Sequence, residues 1–136
     1  MYAAGLLEGS LTYNRIYENY VNTFAIIFRK SQPSAEVLDF IRQHDIWYRQ
    51  KIRENPKDPF WITMDLIRLQ FDGLSSSYNS VVPDDQKIST FGFQLLSGAG
   101  DFFDIISAVD KSLRPNYSNM TEEEITRTVS GPLKYP

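Results

Sequence analysis

With a single histidine and no cysteine, the chain has few residues able to do covalent or proton-transfer chemistry. His44 falls on the apolar stripe of a predicted helix, between Ile41 and Tyr48. An imidazole there ordinarily serves as a hydrogen-bonded, half-buried core group rather than as a base or ligand. Two carboxylate pairs, Asp84 with Asp85 and Asp101 with Asp104, have the residue type for a general acid and base. The first pair sits in a turn-rich segment. The second opens a helix, where acidic side chains answer the helix dipole. No G-x-S-x-G, H-E-x-x-H or G-x-x-x-x-G-K pattern occurs. The reading is therefore of a chain with no catalytic residue, cofactor or metal site of its own.

Two further motifs bear on function. "SGAG" (97–100) precedes a helix and offers backbone N–H groups to an anion. The simpler reading is a tight turn whose glycines take positive φ. Gly98, Gly100 and Asp101 are the candidate edge of a pocket. Asn116-Tyr-Ser and Asn119-Met-Thr are consecutive N-glycosylation acceptors in a polar loop, and they place a protein that uses them on the secretory or lysosomal route.

The elements that position these residues follow a period near 3.6, without internal repeats. Residues 2–29 carry Leu6, Tyr13, Tyr17, Tyr20, Phe24 and Phe28 on one stripe, widened by Ile16 and Ile27. Residues 34–55 form a second helix, capped by Ser31 or Ser34 and burying Val37, Phe40, Ile41, Tyr48 and Ile52, with Trp47 alongside. "RQKIR" (49–53) reads as its solvated face. Pro56 ends that helix, while Asp58 caps the next and Pro59 takes its first position, where a missing N–H costs nothing. The third helix, 59–72, is apolar nearly all round and is expected at the centre, with Asp65 and Arg68 on one side. A turn-rich connection follows to residue 87, its first residues also suited to a short continuation of the helix. Residues 88–96 suit a strand or a helix, since Ile88 and Thr90 favour a strand start and Gly92 weakens both. Asp101 is expected to cap a helix over 102–113, and Thr121 with Glu124 forms a capping box for a short last helix that "SGP" (130–132) stops.

The class is thus mainly α, with four to five helices and at most one short strand. Residues 1–112 read as a helical domain and 113–136 as a loop with a short C-terminal helix. A 42% apolar content is enough to build a core, and a net charge of −3 leaves no basic patch for nucleic acid. No apolar run reaches the length of a membrane span. The opening residues are not expected to act as a signal peptide, because Glu8 interrupts a short apolar run. They read instead as the interior of a longer polypeptide, a helix that already needs a packing partner.

Five blocks, taken in order, resemble the phospholipase B-like (lamina-ancestor-like) family. They are "AAGLLEGSLT" (3–12), Asn22-Thr23, "ENPKDPFW" (54–61), "LQFDGLSSSY" (69–78) and "FGFQLLSGAGDFFDI" (91–105). The resemblance implies an N-terminal-nucleophile hydrolase on an αββα sandwich, made as a secreted or lysosomal precursor that cuts itself before a cysteine. That cysteine's thiol, with the freed α-amine as base, would attack an ester or amide carbonyl. The implied substrate is a phospholipid or an amide. Where family members run on into the nucleophile block, this chain offers "TRTVSGPLKYP" (126–136) and no cysteine, so no catalytic residue transfers to it. The implied partner is a second polypeptide carrying the cysteine and the sheet. The competing expectation is a stand-alone, non-catalytic helical interaction module, able to pair with a copy of itself; a third, an independent hydrolase using Asp101 and Asp104, has nothing to orient a substrate.

Overall fold

The computed structural model describes residues 1–29 and 31–129. Among them the chain is helical, with no strand: α1 Tyr2–Phe28, α2 Ala35–Glu54, α3 Pro59–Val81, α4 Thr90–Ser97, α5 Phe102–Val109 and α6 Glu122–Val129. Short 3-10 turns cover Asp84–Gln86, Lys111–Leu113 and Tyr117–Asn119. The class is mainly α, with more helices than the four or five expected.

The caps explain most boundaries. Ser34 Oγ accepts the Val37 N–H, and an Asp58 carboxylate oxygen accepts the Phe60 N–H at 2.8 Å with Pro59 behind it. Thr121 and Glu124 form the reciprocal box: the Thr121 N–H donates to Oε2 of Glu124 at 2.8 Å, and the Glu124 N–H donates to the Thr121 hydroxyl at 3.3 Å. The expected stop at 130–132 lies outside the described residues. Arg29 closes α1 at φ 54°, a left-handed value costly for a residue with a Cβ.

The main axis of the fold is the pair α1 and α3. A Cβ at Gly5 would meet the backbone of Gln70 and Leu74, and one at Gly9 the backbone of Leu74 and Tyr78. One at Gly73 would meet Tyr2 and Leu6. The register rises together on both helices, so they run parallel. Gly5-xxx-Gly9 on one and Gly73-xxx-Ser77 on the other let the two backbones touch, with Ser77 and Tyr78 buried in the seam.

This contact corrects the expected helix end at residue 72. "DGLSSSYNS" is rich in turn formers, yet α3 continues to Val81 because its small residues are what α1 packs against. The connection that follows is fastened to that extension. Tyr78 donates its phenol O–H to the Gln86 carbonyl at 2.8 Å. Asn79 exchanges two bonds with the Ile88 backbone, at 2.9 and 3.0 Å. Ile88, expected to start a strand, lies buried in this extended linker, and the helix begins at Thr90, capped by Ser89 Oγ on the Gly92 N–H.

Two apolar clusters make the core. Tyr78, Val82, Ile88 and Phe93 gather where α3 and α4 meet, covered by Tyr13, Ile16 and Tyr17 of α1. Phe28, Val37, Ile41, Leu95 and Phe102 join the end of α1 to α2, α4 and α5. Tyr20 touches both. Phe93 stands edge-on to Tyr78 at 5.5 Å and Phe91 edge-on to Phe102 at 5.7 Å, the geometry that aromatic quadrupoles favour.

Other expectations are corrected here. Asp101 has helical backbone angles and makes no side-chain capping bond; the Asp101 and Phe102 N–H groups reach the Gly98 carbonyl instead. The turn before it does not use positive φ, since Gly98 closes α4 at φ −122° and Gly100 is not left-handed either. The helix that Phe102 opens ends at Val109, because the Asp110 carboxylate caps the next turn through the Ser112 N–H. The first turns of α3 are not central, with Phe60, Ile62, Leu66 and Ile67 all exposed. Leu6 and Phe40 are exposed as well, on stripes where burial was expected. No helix of the described residues is long and apolar enough to cross a membrane.

Candidate functional site

A groove opens between α2, α3, α4 and α5. One part, of 230 Å³, is walled by Tyr48, Arg49, Ile67 and Arg68. The other, of 410 Å³, reaches Phe40, Gly98, Asp101 and Phe102. His44, Phe71, Gln94 and Ser97 line both, so the two parts form one groove, mainly apolar and open to solvent.

His44 is exposed, which corrects its expected half-buried place. Its ring lies parallel to that of Tyr48, 6.5 Å between centroids and 10° between planes, and tilted against that of Trp47 at 5.7 Å. It sits on the rim because α2 presents only Val37 and Ile41 fully to the core. Tyr48 donates its O–H to the Met64 carbonyl at 2.7 Å, and burial pushes its phenol above the usual tyrosine range. The Ser97 hydroxyl is committed to the Phe93 carbonyl at 3.0 Å. Such a groove suits an apolar chain with a polar end better than a nucleophilic step.

A charged cluster fixes one wall. The Arg49 guanidinium reaches from α2 to both oxygens of Asp72 on α3, at 3.2 and 3.0 Å, and donates to Asp45 at 2.9 Å. Arg68 shares Asp72 at 2.6 Å and holds Asp65 at 2.8 Å. The hydrogen bonds to Asp72 raise the already high proton affinity of Arg49. Three carboxylates thus answer two guanidiniums, which leaves no surplus positive charge for an anion. The solvated face expected of residues 49–53 therefore holds for Lys51, paired with Glu54, but not for Arg49. Its signal was present in the spacings Asp45–Arg49 and Asp65–Arg68–Asp72, each one helical turn apart.

The remaining sequence candidates do not converge. Gly98 and Asp101 lie on the groove's edge, whereas a Cβ at Gly100 would have no neighbour within 4 Å. Asp101 and Asp104 are both exposed. Asp84 is held below the usual carboxylate range by its hydrogen bond to Lys87, a solvent-side pair at 2.6 Å. No group of three acidic or histidine side chains among the described residues is placed to hold a cation. Asn116 and Asn119 are both exposed at the ends of a 3-10 turn.

The profile of the phospholipase B family matches residues 1–133. The chain belongs to that family. It is 34% identical over 116 residues to a phospholipase B of Crotalus adamanteus, covering 84% of this chain and 21% of the relative. It is 32% identical over 111 residues to phospholipase B-like 1 of Bos taurus, covering 80% and 20%. For phospholipase-B 81 of Drysdalia coronoides the figures are 33% over 125 residues, 90% and 23%. This phospholipase B-family chain therefore spans about a fifth of the length of the curated relatives it matches. The seam of Gly5, Gly9, Gly73 and Ser77 falls inside two of the blocks that carry the resemblance, 3–12 and 69–78, which gives those blocks a packing reason.

Proposed function

We propose that this chain is the helical portion of a phospholipase B-like hydrolase, acting on an ester or amide bond of a lipid-like substrate, and that it is not catalytic alone. In this reading the cysteine nucleophile and the sheet belong to a second polypeptide, and the α-amine of that cysteine takes the thiol proton as the thiolate attacks the carbonyl. The helices cover one face of that sheet and shape the substrate pocket. The parent protein follows a secreted or lysosomal route.

The observation that carries the reading is the apolar rim at the α2–α3 corner. Trp47, Phe60 and Ile67 are 48, 58 and 53% exposed, and Trp61 joins two of them by edge-on contacts of 6.0 and 5.1 Å. Exposed aromatic and aliphatic side chains in contact with one another mark a surface that another polypeptide covers.

The test is denaturing mass spectrometry of the protein from its native source, with gel filtration of the same material to read fold and oligomeric state. A co-purifying polypeptide that begins with cysteine is the expected result. A 15.7 kDa species found alone, folded and monomeric would overturn the two-chain reading. A symmetric dimer of the same species would replace it with a self-associating helical module.

A further inference from the structure

We infer that the chain carries one N-linked glycan, on Asn119, with Asn116 left bare; the inference rests on the secretory or lysosomal route proposed above. Asn116-Tyr117-Ser118 and Asn119-Met120-Thr121 are two acceptor sequences set end to end. In the fold they flank one 3-10 turn, Tyr117–Asn119: Asn116 is its N-cap, with non-helical backbone angles, Asn119 ends it, and the Asn119 N–H donates to the Asn116 carbonyl at 3.1 Å. That bond holds the two asparagines close together. Both residues are exposed, and the Asn116 side chain makes no capping bond, so either amide alone can take a sugar without disturbing the core. Two branched oligosaccharides this close together cannot both be accommodated. Even in a fully extended nascent chain the two Cα atoms are only about 10 Å apart, less than the width of one such glycan.

Asn119 is the favoured acceptor because its third residue is threonine. The β-methyl of Thr121 restricts χ1 and pre-orients the hydroxyl that an acceptor sequence must present, while the Ser118 hydroxyl rotates freely. The fold then sets the order of events. In the folded chain the Thr121 hydroxyl donates to Glu124 Oε2 at 2.9 Å and accepts the Glu124 N–H, so it is no longer available to a transferase. Attachment at Asn119 therefore precedes the folding of α6. In that step the Asn119 Nδ2 forms a bond to the anomeric carbon of a lipid-pyrophosphate-linked oligosaccharide. Nδ2 gives up one proton, and the bond from the anomeric carbon to the pyrophosphate oxygen breaks, with the lipid pyrophosphate leaving with the electron pair.

The experiment has two arms. The full chain, translated behind a cleavable signal sequence in the presence of endoplasmic-reticulum microsomes, is released with peptide N-glycosidase in heavy-oxygen water, and the aspartate formed at each former glycan is located by mass spectrometry. The expected result is a one-glycan mobility shift with the label at position 119. Asn116→Gln and Ser118→Ala leave both unchanged. Thr121→Asp, which keeps a capping carboxylate but destroys the acceptor, removes the label from position 119. Label at position 116 in the unsubstituted chain, at both positions, or at neither, overturns the inference. The second arm fractionates the native source. Protein in the cytosol defeats the proposed route and leaves the site assignment to the microsome result. Protein in secretory or lysosomal fractions without label at 119 defeats the site assignment and leaves the route standing.

Discussion

The guanidinium of Arg49 lies against both oxygens of the Asp72 carboxylate, Nη1 to Oδ2 at 3.2 Å and Nη2 to Oδ1 at 3.0 Å. This forked pair joins α2 to α3, and its geometry matters because α2 gives the core only Val37 and Ile41 as fully buried residues. Apart from the Tyr48–Met64 bond, little else polar ties the middle of α2 down.

Asp72→Asn should therefore loosen α2 selectively. It takes one carboxylate from two guanidiniums, Arg49 and Arg68, whose side chains are 30 and 21% exposed. A loss of about 1–2 kcal/mol is expected, the lower part of the range for charged hydrogen bonds because solvent still screens the cluster. Arg49→Lys keeps the charge but not the fork and should show much of the same loss. Urea unfolding gives the size, and amide exchange gives the place: faster exchange over Ala35–Glu54 with α1 unaffected. Equal acceleration in α1 would mean that the pair does not hold α2 in particular.

The glycine seam gives a prediction whose sign opposes helix propensity. In an exposed helix Gly→Ala gains roughly 1 kcal/mol. At Gly5, Gly9 or Gly73 the added methyl meets backbone of the facing helix, which has no rotamer with which to yield. Each change should cost about 1–3 kcal/mol net, as overpacking does. Gly100→Ala is the control, with open space around its Cβ position, and should be neutral or stabilising. Thermal denaturation of the four variants decides the matter. If Gly9→Ala is as stable as Gly100→Ala, the parallel close contact of α1 and α3 is wrong.

That seam also shows what the sequence made legible. The stripe of Tyr13, Tyr17, Tyr20, Phe24 and Phe28, the caps at Ser34, Asp58 and Thr121, and the break at Pro56 are local signals, and each is found where the pattern placed it. Residues 73–81 read mainly as turn because their small and polar side chains favour turns when no neighbour is considered. Gly73, Ser77 and Tyr78 are helical only because α1 lies on them, a contact about seventy residues away in the chain. Ile88 was drawn to a strand by its branched side chain, but Asn79 claims its backbone N–H and C=O and leaves nothing to pair with another strand. The groove was barely legible. His44 looks like a core residue on its stripe, but α2 buries only Val37 and Ile41 fully, which leaves His44 on the rim.

The capping box at α6 makes the end of the described chain sensitive to acid. Glu124 is held below the usual glutamate range, first by the Thr121 backbone N–H and then by its hydroxyl. A lowered value in the folded state means that stability is present above the ordinary pKa of about 4.3 and is lost as pH falls through the folded value. Helix α6 should therefore fray in acid before the α1–α3 pair does, read by amide signals of Glu124 and Ile125. Glu124→Gln keeps the side chain's reach but not its charge, and its α6 should be weaker at neutral pH and less responsive to acid. An unchanged acid profile in that variant would mean that the Glu124 carboxylate is not the group through which acid loosens α6.

Alkali should act at the other end of the pH scale, through Tyr78. Its ring is wholly buried, its O–H is donated to the Gln86 carbonyl at 2.8 Å, and burial pushes its phenol above the usual range, helped by the neighbouring Tyr17 and Tyr20. A raised value in the folded state means that its contribution to stability is complete below the ordinary pKa of about 10 and disappears as pH rises through the folded value. Tyr78→Phe separates the two roles of that group. At neutral pH it leaves the Gln86 carbonyl without its donor and should cost about 1 kcal/mol or somewhat more. In alkali the variant should lose stability less steeply, because one buried phenol no longer has to ionise. Part of the slope should survive, since burial raises Tyr20 and Tyr48 as well. Urea midpoints taken from neutral to strongly alkaline pH, with phenolate absorbance recorded beside them, give both effects from one series. Parallel curves for the two proteins would mean that the Tyr78 hydroxyl stabilises the linker at every pH without being the group that alkali attacks.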